Sequence, residues 1–416
     1  MSNIVIKGGN LLSGEIKVSG AKNSVVALIP AAVLCDEVVH IDNVPDISDI
    51  DALEEILTYL HVDVKRSGNG IDIFSKNMIN DEIPCVLASK LRASYYFMGV
   101  LLGKYKKVSM CFPGGCSIGK RPINLHLKGF EKLGAEIDES GDKFSIAANK
   151  LIGDEVFLDV PSVGATINIM LAAVKARGKT VIENAAMEPE IVDVVNFLNS
   201  MGAKIKGAGT RKLEIIGVRK LHSTTYSVVP DRIEAGTYVI AAALLGSDLK
   251  VSGLVPEHIE SLTSKLEEAG VKLSIGEDYV RVDSVCSYHA VDVMTVVYPG
   301  FPTDLQQPMI PFLTQCHGVS HVEETVWENR FMNISDTIKM GANIEVIDNR
   351  VAIIHGKTKL KGRKVEATDL RGGASMVICG LIADGTTTIT NVGHILRGYD
   401  NIVGKLSKVG ADIKII

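Results

Sequence analysis

Residues 198–207 read LNSMGAKIKG, which is typical of a helix end, a small-residue turn and the start of a strand. The glycine stands where a helix needs a residue that tolerates the left-handed conformation before the chain turns into a strand. The same pattern recurs along the whole chain. The other copies are LTYLHVDVKR (57–66), FEKLGAEIDE (130–139), LEEAGVKLSI (266–275), TIKMGANIEV (337–346) and LSKVGADIKI (406–415).

The copies recur at a nearly constant interval. Their central residues are His61, Gly134, Gly202, Gly270, Gly341 and Gly410, and the successive spacings are 73, 68, 68, 71 and 69 residues. Six units of this size account for all 416 residues. A fixed period of this kind indicates an internally repeated fold.

Each unit also contains a second, more apolar helix, with short alternating strands between the two helices. The predicted order within a unit is helix, three strands, apolar helix, strand. We expect the polar-faced helices outside and the apolar ones inside. Examples of the apolar helices are KNSVVALIPAAVL (22–34), LRASYYFMGVLLG (91–103), SVGATINIMLAAV (162–174), RIEAGTYVIAAALL (232–245) and LRGGASMVICGLIA (370–383).

The sixth unit stops before its closing strands, and residues 3–21 look like that missing tail. The N-terminal strands should therefore complete the last unit. Six units divide most simply into three and three, which predicts one domain at 22–230 and another formed by 1–21 with 231–416. Two chain crossings, near residues 21 and 230, would then form a double hinge.

Composition excludes several classes of function. The net charge is −5 and the pI is near 6.1, so nucleic-acid or basic membrane-surface binding is not indicated. The longest apolar runs, 25–35 and 238–246, are shorter than the roughly 18 residues that span a bilayer. The first ten residues lack a secretory signal pattern. Seven scattered cysteines without a CxxC pair favour a cytoplasmic protein with reduced thiols.

Polar residues begin the apolar helices at equivalent places. A helix N-terminus favours anions, so several such ends with added cations suit a multiply anionic ligand. For Ser162 and Asp369, capping of the helix is the simpler interpretation. Capping explains little for the cations, which are disfavoured at that end without an anion. The set comprises Lys22, Asn23, Arg92, Ser162, Gly164, Arg232, Asp304, Asp369 and Arg371.

The most unusual stretch is FPGGCSIGKRPINLHLKGF (112–130). Glycines surround Cys116, and Lys120 and Arg121 follow, so this thiol should be accessible and have a lowered pKa. His126 fits either a site or a satisfied structural histidine. The remaining cysteines are interpreted as small buried hydrophobic residues; they are Cys35, Cys85, Cys111, Cys286, Cys316 and Cys379.

Three later clusters are weaker signals on their own, with a salt bridge or a cap as the favoured interpretation. PGFPTDLQ places Asp304 after two prolines at the start of an apolar helix. WENRF (327–331) carries Arg330 beside the single tryptophan, and HILRGYDN (394–401) carries Arg397.

Together these motifs resemble the enolpyruvyl transferases, and the likeness runs from end to end. The PGGC loop resembles the branch that uses UDP-N-acetylglucosamine, and the shikimate 3-phosphate branch is not expected to have it. The implied fold is α/β: two inside-out α/β barrel domains, each of three repeated units. The motifs are SGAKNS, LRAS, PGGCSIGKRPINLHLKGFEKLGA, SVGATINIM, IENAAMEPEI, PDRIEAGT, FPTDLQ, ENRFM, ATDLRGGAS and HILRGY.

The resemblance implies transfer of the enolpyruvyl group of phosphoenolpyruvate to the 3-hydroxyl of UDP-N-acetylglucosamine, the first committed step of peptidoglycan synthesis. It assigns Lys22, Arg121 and Arg397, with Asn23, to phosphoenolpyruvate. The positions matching sugar-nucleotide contacts are Arg92, Arg121, Pro122, Ile123, Asn124, Leu125, Ser162, Val163, Asp304 and Val326. Arg371, one of the cations at the helix starts, is a further candidate for substrate binding.

By the same resemblance Cys116 is the proton donor and the site of a covalent adduct, including alkylation by epoxides of the fosfomycin type. Asp304 is the base for the sugar hydroxyl, and Arg397 is the third catalytic residue. No metal or organic cofactor is expected. Since Cys116 and Asp304 fall in different predicted domains, the halves should close around substrate.

Two positions depart from the pattern of many relatives, which carry Asp at Leu396 and Lys at Ser48. Both changes resemble a second-copy enzyme in bacteria with two such genes. Two alternatives stay open: a 3-phosphoshikimate 1-carboxyvinyltransferase, and a catalytically silent paralogue that binds the UDP-sugar.

Overall fold

The computed structural model describes residues 2–112, 123–140, 143–283 and 287–416. The predicted site residues Cys116, Arg121 and Pro122 lie outside these ranges, as does Cys286. The described chain divides into two compact units. A continuous unit runs from Gly20 to Val229, and a discontinuous unit joins the residues up to Ser19 with Pro230–Ile416.

Helices and strands alternate throughout the described ranges. The helices are α1 (Lys22–Ala32), α2 (Ser48–Tyr59), α3 (Cys85–Ala88), α4 (Tyr96–Tyr105), α5 (Asn124–Lys132), α6 (Val163–Ala173), α7 (Pro189–Ser200), α8 (Arg232–Leu245), α9 (Glu260–Glu268), α10 (Thr303–Thr314), α11 (Ile334–Lys339), α12 (Leu370–Ile382), α13 (Gly393–Leu396) and α14 (Ile402–Lys408), with 3-10 turns at Arg92–Tyr95 and Pro256–Ile259. The strands are β1 (Ile4–Lys7), β2 (Leu12–Lys17), β3 (Val39–Asp42), β4 (Asp63–Ser67), β5 (Gly70–Phe74), β6 (Lys107–Cys111), β7 (Glu136–Ser140), β8 (Lys143–Ala147), β9 (Glu155–Phe157), β10 (Lys179–Glu183), β11 (Lys204–Lys206), β12 (Lys212–Ile216), β13 (Thr225–Ser227), β14 (Gly246–Ser252), β15 (Leu273–Ile275), β16 (Tyr279–Val282), β17 (Val293–Thr295), β18 (Gly318–Glu324), β19 (Asn343–Ile347), β20 (Val351–Gly356), β21 (Lys364–Glu366), β22 (Thr386–Thr390) and β23 (Asp412–Ile415).

The described strands form six small sheets, three in each of the two compact units. One sheet for each copy of the repeat confirms the sixfold repeat. In the continuous unit the sheet orders are β13-β3-β5-β4, β6-β8-β7 and β11-β12-β10-β9. In the discontinuous unit they are β15-β16-β14-β2, β17-β18-β20-β19 and β21-β22-β1-β23. The predicted order holds, as in α9-β15-β16-β17-α10-β18. In the unit that begins with α2, a single bridge from Ile83 to Met110 takes the place of the third strand.

The N-terminal strands complete the sixth unit as predicted. Strand β1 lies between β22 and β23 and pairs antiparallel with both, so that Ile4 faces Ile389 on one side and Ile415 on the other. Strand β2 pairs in parallel with β14 of the fourth unit. The first residues of the chain are thus integral to the discontinuous unit.

The turn residues of the repeat have the predicted conformation. Gly202 has φ +95°, and the equivalent glycines of the other copies also have positive φ. His61 has φ +58° without the freedom of a glycine. The left-handed turn is therefore a property of the position in the repeat, and glycine is the residue that adopts it at least cost.

The apolar helices lie inside each unit. In α8 every residue after Arg232 is buried, while α9 buries Leu262, Thr263 and Leu266 and leaves its polar face outside. Helices α4 and α6 approach so closely that a Cβ on Gly99 would lie 2.3 Å from the backbone oxygen of Asn168. Each unit has its own apolar core. Each is therefore an α/β barrel turned inside out, with helices within and sheets around them. No helix of the described ranges is long and apolar enough to cross a membrane.

The cysteine interpretation is partly wrong. Cys85 and Cys111 form a disulfide with their Cα atoms 5.1 Å apart, and Cys85 is exposed. The pair arises because α3 packs beside the end of β6, a contact across 26 residues that spacing alone does not reveal. The buried thiols are Cys35, Cys316 and Cys379, as predicted. Burial raises the pKa of Cys316 and Cys379 to about 12, so both stay as neutral thiols.

Candidate functional site

Two of the helix-start residues act as caps, as expected. The Ser162 hydroxyl accepts a hydrogen bond from the Ala165 N–H over 3.3 Å at the start of α6. One Asp369 oxygen accepts from the Arg371 and Gly372 N–H groups over 3.0 and 3.1 Å at the start of α12. These bonds satisfy amides that have no partner within the helix.

Lys22 is different, because it begins α1 without capping it. The N-cap residue Ala21 offers no side-chain bond. The Lys22 ammonium lies 3.0 Å from Asp49 Oδ2 of α2, with side-chain exposures of 15% and 3%. Asn23 follows and is half-buried. A buried carboxylate thus holds a cation at the start of a helix, where free backbone N–H groups favour an anionic ligand.

Arg92 lies near His126, and His126 lies near the start of α6. Burial and the charge of Arg92 lower the pKa of His126 to about 3. A Cβ on Gly164 would contact both the His126 ring and the Tyr95 hydroxyl, so Val163 and Ser162 border the same spot. His126 therefore lies close to the start of α6 and within the electrostatic influence of Arg92.

His126 itself is a structural residue. Asn168 Oδ1 accepts from the Gly99 N–H over 2.9 Å, which orients the amide so that Nδ2 donates to His126 Nδ1 over 2.9 Å. Nδ1 is then an acceptor, and the ring proton of the neutral imidazole resides on Nε2. This supports the structural interpretation of His126 over the catalytic one.

Asp304 lies in the first turn of α10 between two buried arginines. Its Oδ2 accepts from Arg371 Nη2 over 3.0 Å, and its Oδ1 accepts from Arg330 Nη2. The two arginine side chains are 3% and 2% exposed, whereas Asp304 is 27% exposed. Among the described residues, Nε and Nη1 of Arg371 make no hydrogen bond. The salt bridge predicted for Arg330 is thus present, and an exposed carboxylate edge stands beside buried guanidinium donors.

Glu324, which no sequence motif marks, forms hydrogen bonds to several residues around Asp304. Its buried carboxylate accepts from the Val326 and Trp327 N–H groups over 2.9 and 3.1 Å and from Thr303 Oγ1 over 2.9 Å. It therefore connects Val326 to the residue before Asp304. The only sequence signal for Glu324 is that it occupies an inward position in the alternating pattern of β18, and every strand has such positions.

Arg397 follows α13 and is half-buried. Tyr399, two residues on, is 1% exposed. The Tyr399 hydroxyl lies 2.9 Å from Thr237 Oγ1 of α8, and the Arg371 guanidinium lies 5.4 Å from the centre of its ring. Asp304, Arg371 and the Arg397 segment thus belong to one connected region of the discontinuous unit.

The remaining predicted residues begin α5. Ile123 is its N-cap residue and is 7% exposed, Asn124 is exposed, and Leu125 is half-buried. Of the residues predicted to bind phosphoenolpyruvate, Lys22 and Asn23 lie in the continuous unit and Arg397 in the discontinuous one. No cluster of three His, Cys, Asp or Glu side chains that could hold a metal occurs in the part of the chain that the structure describes.

Comparison with known proteins identifies the class. Residues 6–406 match the family described as EPSP synthase (3-phosphoshikimate 1-carboxyvinyltransferase). The solved structure of the enolpyruvyl transferase NikO from Streptomyces tendae matches with a TM-score of 0.90 at 26% identity, covering 100% of this chain and 98% of that one. EPSP synthase from Acinetobacter baumannii matches with a TM-score of 0.76 at 17% identity over both whole chains, which shows the shared fold. The chain belongs to this enolpyruvyl transferase family.

Curated relatives are more similar still. The protein called UDP-N-acetylglucosamine 1-carboxyvinyltransferase 2 of Geobacillus kaustophilus (strain HTA426) is 51% identical over 413 residues, covering 99% of this chain and 96% of that protein. Its namesake in Streptococcus pyogenes serotype M1 is 48% identical over the whole of both chains. The namesake in Staphylococcus aureus (strain Mu50 / ATCC 700699) is 50% identical over 99% of this chain and 98% of that protein.

Proposed function

We propose that this chain is an enzyme that transfers the enolpyruvyl group of phosphoenolpyruvate to the 3-hydroxyl of UDP-N-acetylglucosamine and releases phosphate. The observation that carries the proposal is full-length identity of about one half to relatives named for this reaction. The product would enter peptidoglycan synthesis. We place the reaction in the cytoplasm because both substrates are phosphorylated metabolites.

Phosphoenolpyruvate needs cations for its phosphate and carboxylate. Lys22, Arg121 and Arg397 are the proposed cations, with Asn23 beside them. Guanidinium groups suit both anions because two parallel N–H bonds match two oxygens. The proposal is supported by the position of Lys22 at the start of α1.

The UDP-sugar would contact Arg92 and residues 121–125, the start of α6 at Ser162 and Val163, and Val326. The position of His126, close to the start of α6 and within the electrostatic influence of Arg92, supports the first two groups. The Glu324 bonds that hold Val326 beside Thr303 support the grouping of Val326 with Asp304.

In the proposed chemistry the Cys116 thiol gives its proton to carbon 3 of phosphoenolpyruvate while the sugar 3-hydroxyl oxygen bonds to carbon 2. Asp304 accepts the hydroxyl proton as general base. The resulting tetrahedral intermediate returns a proton from carbon 3 to the Cys116 thiolate and expels phosphate, which takes the proton held by Asp304, so the double bond is restored and both groups regain their starting protonation. Arg397 and Lys22 offset the negative charge throughout.

Asp304 suits the role of base because two ion pairs hold its carboxylate in one orientation. Arg330 and Arg371 engage one oxygen each, and a carboxylate is a group that can accept a hydroxyl proton as general base. Arg371 also has guanidinium N–H groups that make no bond to the described residues, which supports its assignment to substrate.

The alternative acceptor is shikimate 3-phosphate, since the matching family is described by that reaction. Purified protein with phosphoenolpyruvate and each acceptor in turn, followed by inorganic phosphate release, separates the two. We expect release with UDP-N-acetylglucosamine alone. Release only with shikimate 3-phosphate would overturn the acceptor, and release with neither would favour the silent UDP-sugar-binding paralogue.

A further inference from the structure

A partly buried polar cluster surrounds Ser19, the last residue of the chain before it passes into the continuous unit. The Ser19 N–H donates to Glu234 Oε2 over 2.7 Å, and its hydroxyl donates to Asp400 Oδ2 over 2.6 Å. The Lys405 ammonium donates to Ser19 Oγ over 2.7 Å and to Glu234 Oε1 over 2.6 Å. We call Ser19, Glu234, Asp400 and Lys405 the Ser19 cluster.

The Ser19 cluster is costly to build. The side chains of Glu234 and Lys405 are only 3% and 17% exposed. Burial raises the pKa of Glu234 to about 7, although Lys405 and the Ser19 N–H act in the opposite direction. A buried ion pair of this kind often contributes no more to stability than apolar residues of the same size. Stability alone is therefore a weak explanation of the cluster.

The cluster joins segments that the proposed reaction needs. Asp400 lies three residues after Arg397, and Glu234 lies in the first turn of α8. The backbone oxygen of Ser19 accepts from the Asp231 N–H over 2.9 Å, so the two places where the chain enters and leaves the discontinuous unit are bonded to each other. Tyr399 adds a second attachment of the same segment to α8 through Thr237.

We propose that the Ser19 cluster positions Arg397, by holding the 397–400 segment through Asp400 to the chain crossing at Ser19 and to α8. This inference rests on the proposed function, in which Arg397 binds phosphoenolpyruvate. Arg397 itself lies on a short segment between α13 and α14. Without Asp400 the segment keeps the bond from Tyr399 to Thr237 but loses the bond to Ser19. The Arg397 guanidinium is then no longer fixed in the position where it would bind phosphoenolpyruvate.

Asp400→Ala removes the acceptor for Ser19 and is the main test. We expect the KM for phosphoenolpyruvate to rise about tenfold, as for a lost hydrogen bond to a charged group, with the KM for the UDP-sugar unchanged. Asp400→Asn keeps an acceptor oxygen and should rescue most of the effect. Glu268→Gln is the matched control, because it removes an exposed ion pair of similar length, with Lys265 on α9.

A purely structural role predicts a different pattern. Partial unfolding lowers the concentration of active enzyme, so kcat falls while both KM values stay the same. That result for Asp400→Ala, with a lowered Tm, would overturn the proposal. Equal rises of both KM values would also overturn it.

The charge of Glu234 supplies a second test through pH. The groups that face Glu234 are Lys405 of α14, the N-cap residue Asp231 of α8, and Tyr238 within α8. Asp231 is in turn affected by the charge of Arg371 of α12. Asp400 bonds to the hydroxyl of Ser19. Above pH 7 Glu234 is ionised and pairs with Lys405, and below it the carboxyl becomes neutral. Glu234→Gln should therefore resemble the wild type at pH 6 and differ from it at pH 8.

The quantity to measure is the ratio of phosphoenolpyruvate KM between Glu234→Gln and wild type, in which the titration of the substrate itself cancels. We expect the ratio to rise from near 1 at pH 6 to several-fold at pH 8, and a flat ratio would contradict a role for the ion pair. Calorimetric affinity for phosphoenolpyruvate, measured without the UDP-sugar, gives the same comparison without turnover. If wild type binds phosphoenolpyruvate but releases no phosphate, the proposed function is refuted. The affinities of wild type and Asp400→Ala for phosphoenolpyruvate then still decide the inference.

Discussion

At the scale of single residues, the candidate site depends on charged side chains that are each held by a buried group of opposite charge. Asp304 is fixed by Arg330 and Arg371, and Lys22 is fixed by Asp49. Such pairs cost free energy to bury, and they fix the orientation of the charged groups. Preorganisation of this kind is what electrostatic catalysis requires.

The first prediction concerns Asp304→Asn. We expect turnover to fall by about 10²–10⁴, the range for loss of a general base, because the amide cannot accept the hydroxyl proton. Affinity for the UDP-sugar should change much less, since one acceptor oxygen remains. Steady-state kinetics and calorimetry measure the two quantities, and Asp292→Asn, an exposed carboxylate paired with His321, is the control. Near-normal turnover would make Asp304 a positioning residue.

The second prediction concerns Cys116, which is proposed as an acid. Cys116→Ser should lose most activity because a hydroxyl is a far weaker acid than a thiol, whereas Cys116→Asp could keep substantial activity through a carboxyl among substrate anions. The Asp variant should also resist epoxides of the fosfomycin type. Turnover against pH for the three forms is the measurement. A fully active Ser variant beside an inactive Asp variant would rule out proton donation by residue 116.

The third prediction concerns stability in acid. His126 has a pKa of about 3 in the folded chain and an ordinary value near 6.5 when unfolded. The folded chain therefore binds fewer protons at this site than the unfolded chain. The contribution of His126 lowers the free energy of unfolding as the pH falls below about 6.5, by up to about 4 kcal/mol near pH 3. His126→Gln should remove this part of the pH dependence in urea unfolding, and His222→Gln, at an exposed histidine, should not. Identical pH slopes for wild type and His126→Gln would contradict a buried neutral imidazole.

At the scale of elements, local patterns in the sequence predict most of the fold. Helix and strand periodicity and the positive-φ turn are properties of a few consecutive residues, so all six repeats could be found. Contacts between distant elements could not. The Ser19–Asp400 bond joins residues 381 apart, and Glu324 looks like any buried strand residue. Of the site, the cations and caps at helix starts were predicted, while the groups that hold them were not.

The disulfide between α3 and β6 leads to the fourth prediction. Cys111 lies at the end of β6, five residues before Cys116. Closing a loop of this length should stabilise the oxidised protein by about 3 kcal/mol. Urea unfolding should therefore show a lower midpoint with a thiol reductant than without it. The double variant Cys85→Ser with Cys111→Ser should be insensitive to the reductant, and a wild-type midpoint that the reductant does not change would refute a disulfide in solution.

At the scale of the whole molecule, six copies of one repeat form two domains, and the second domain is built from both ends of the chain. The N-terminal strands complete the last unit, so the chain leaves the discontinuous unit after Ser19 and returns at Pro230. The proposed ligands of phosphoenolpyruvate come from both units, Lys22 from one and Arg397 from the other. The repeat thus explains why residues far apart in sequence serve one proposed reaction.

The most direct test of that reaction is a competition between acceptors. Purified protein is given phosphoenolpyruvate with equal concentrations of UDP-N-acetylglucosamine and shikimate 3-phosphate, and the products are identified by mass spectrometry beside an assay of inorganic phosphate. We predict one enolpyruvyl group on the sugar nucleotide for each phosphate released, and unchanged shikimate 3-phosphate. Enolpyruvyl transfer to shikimate 3-phosphate, or phosphate release without a modified sugar nucleotide, would contradict the account.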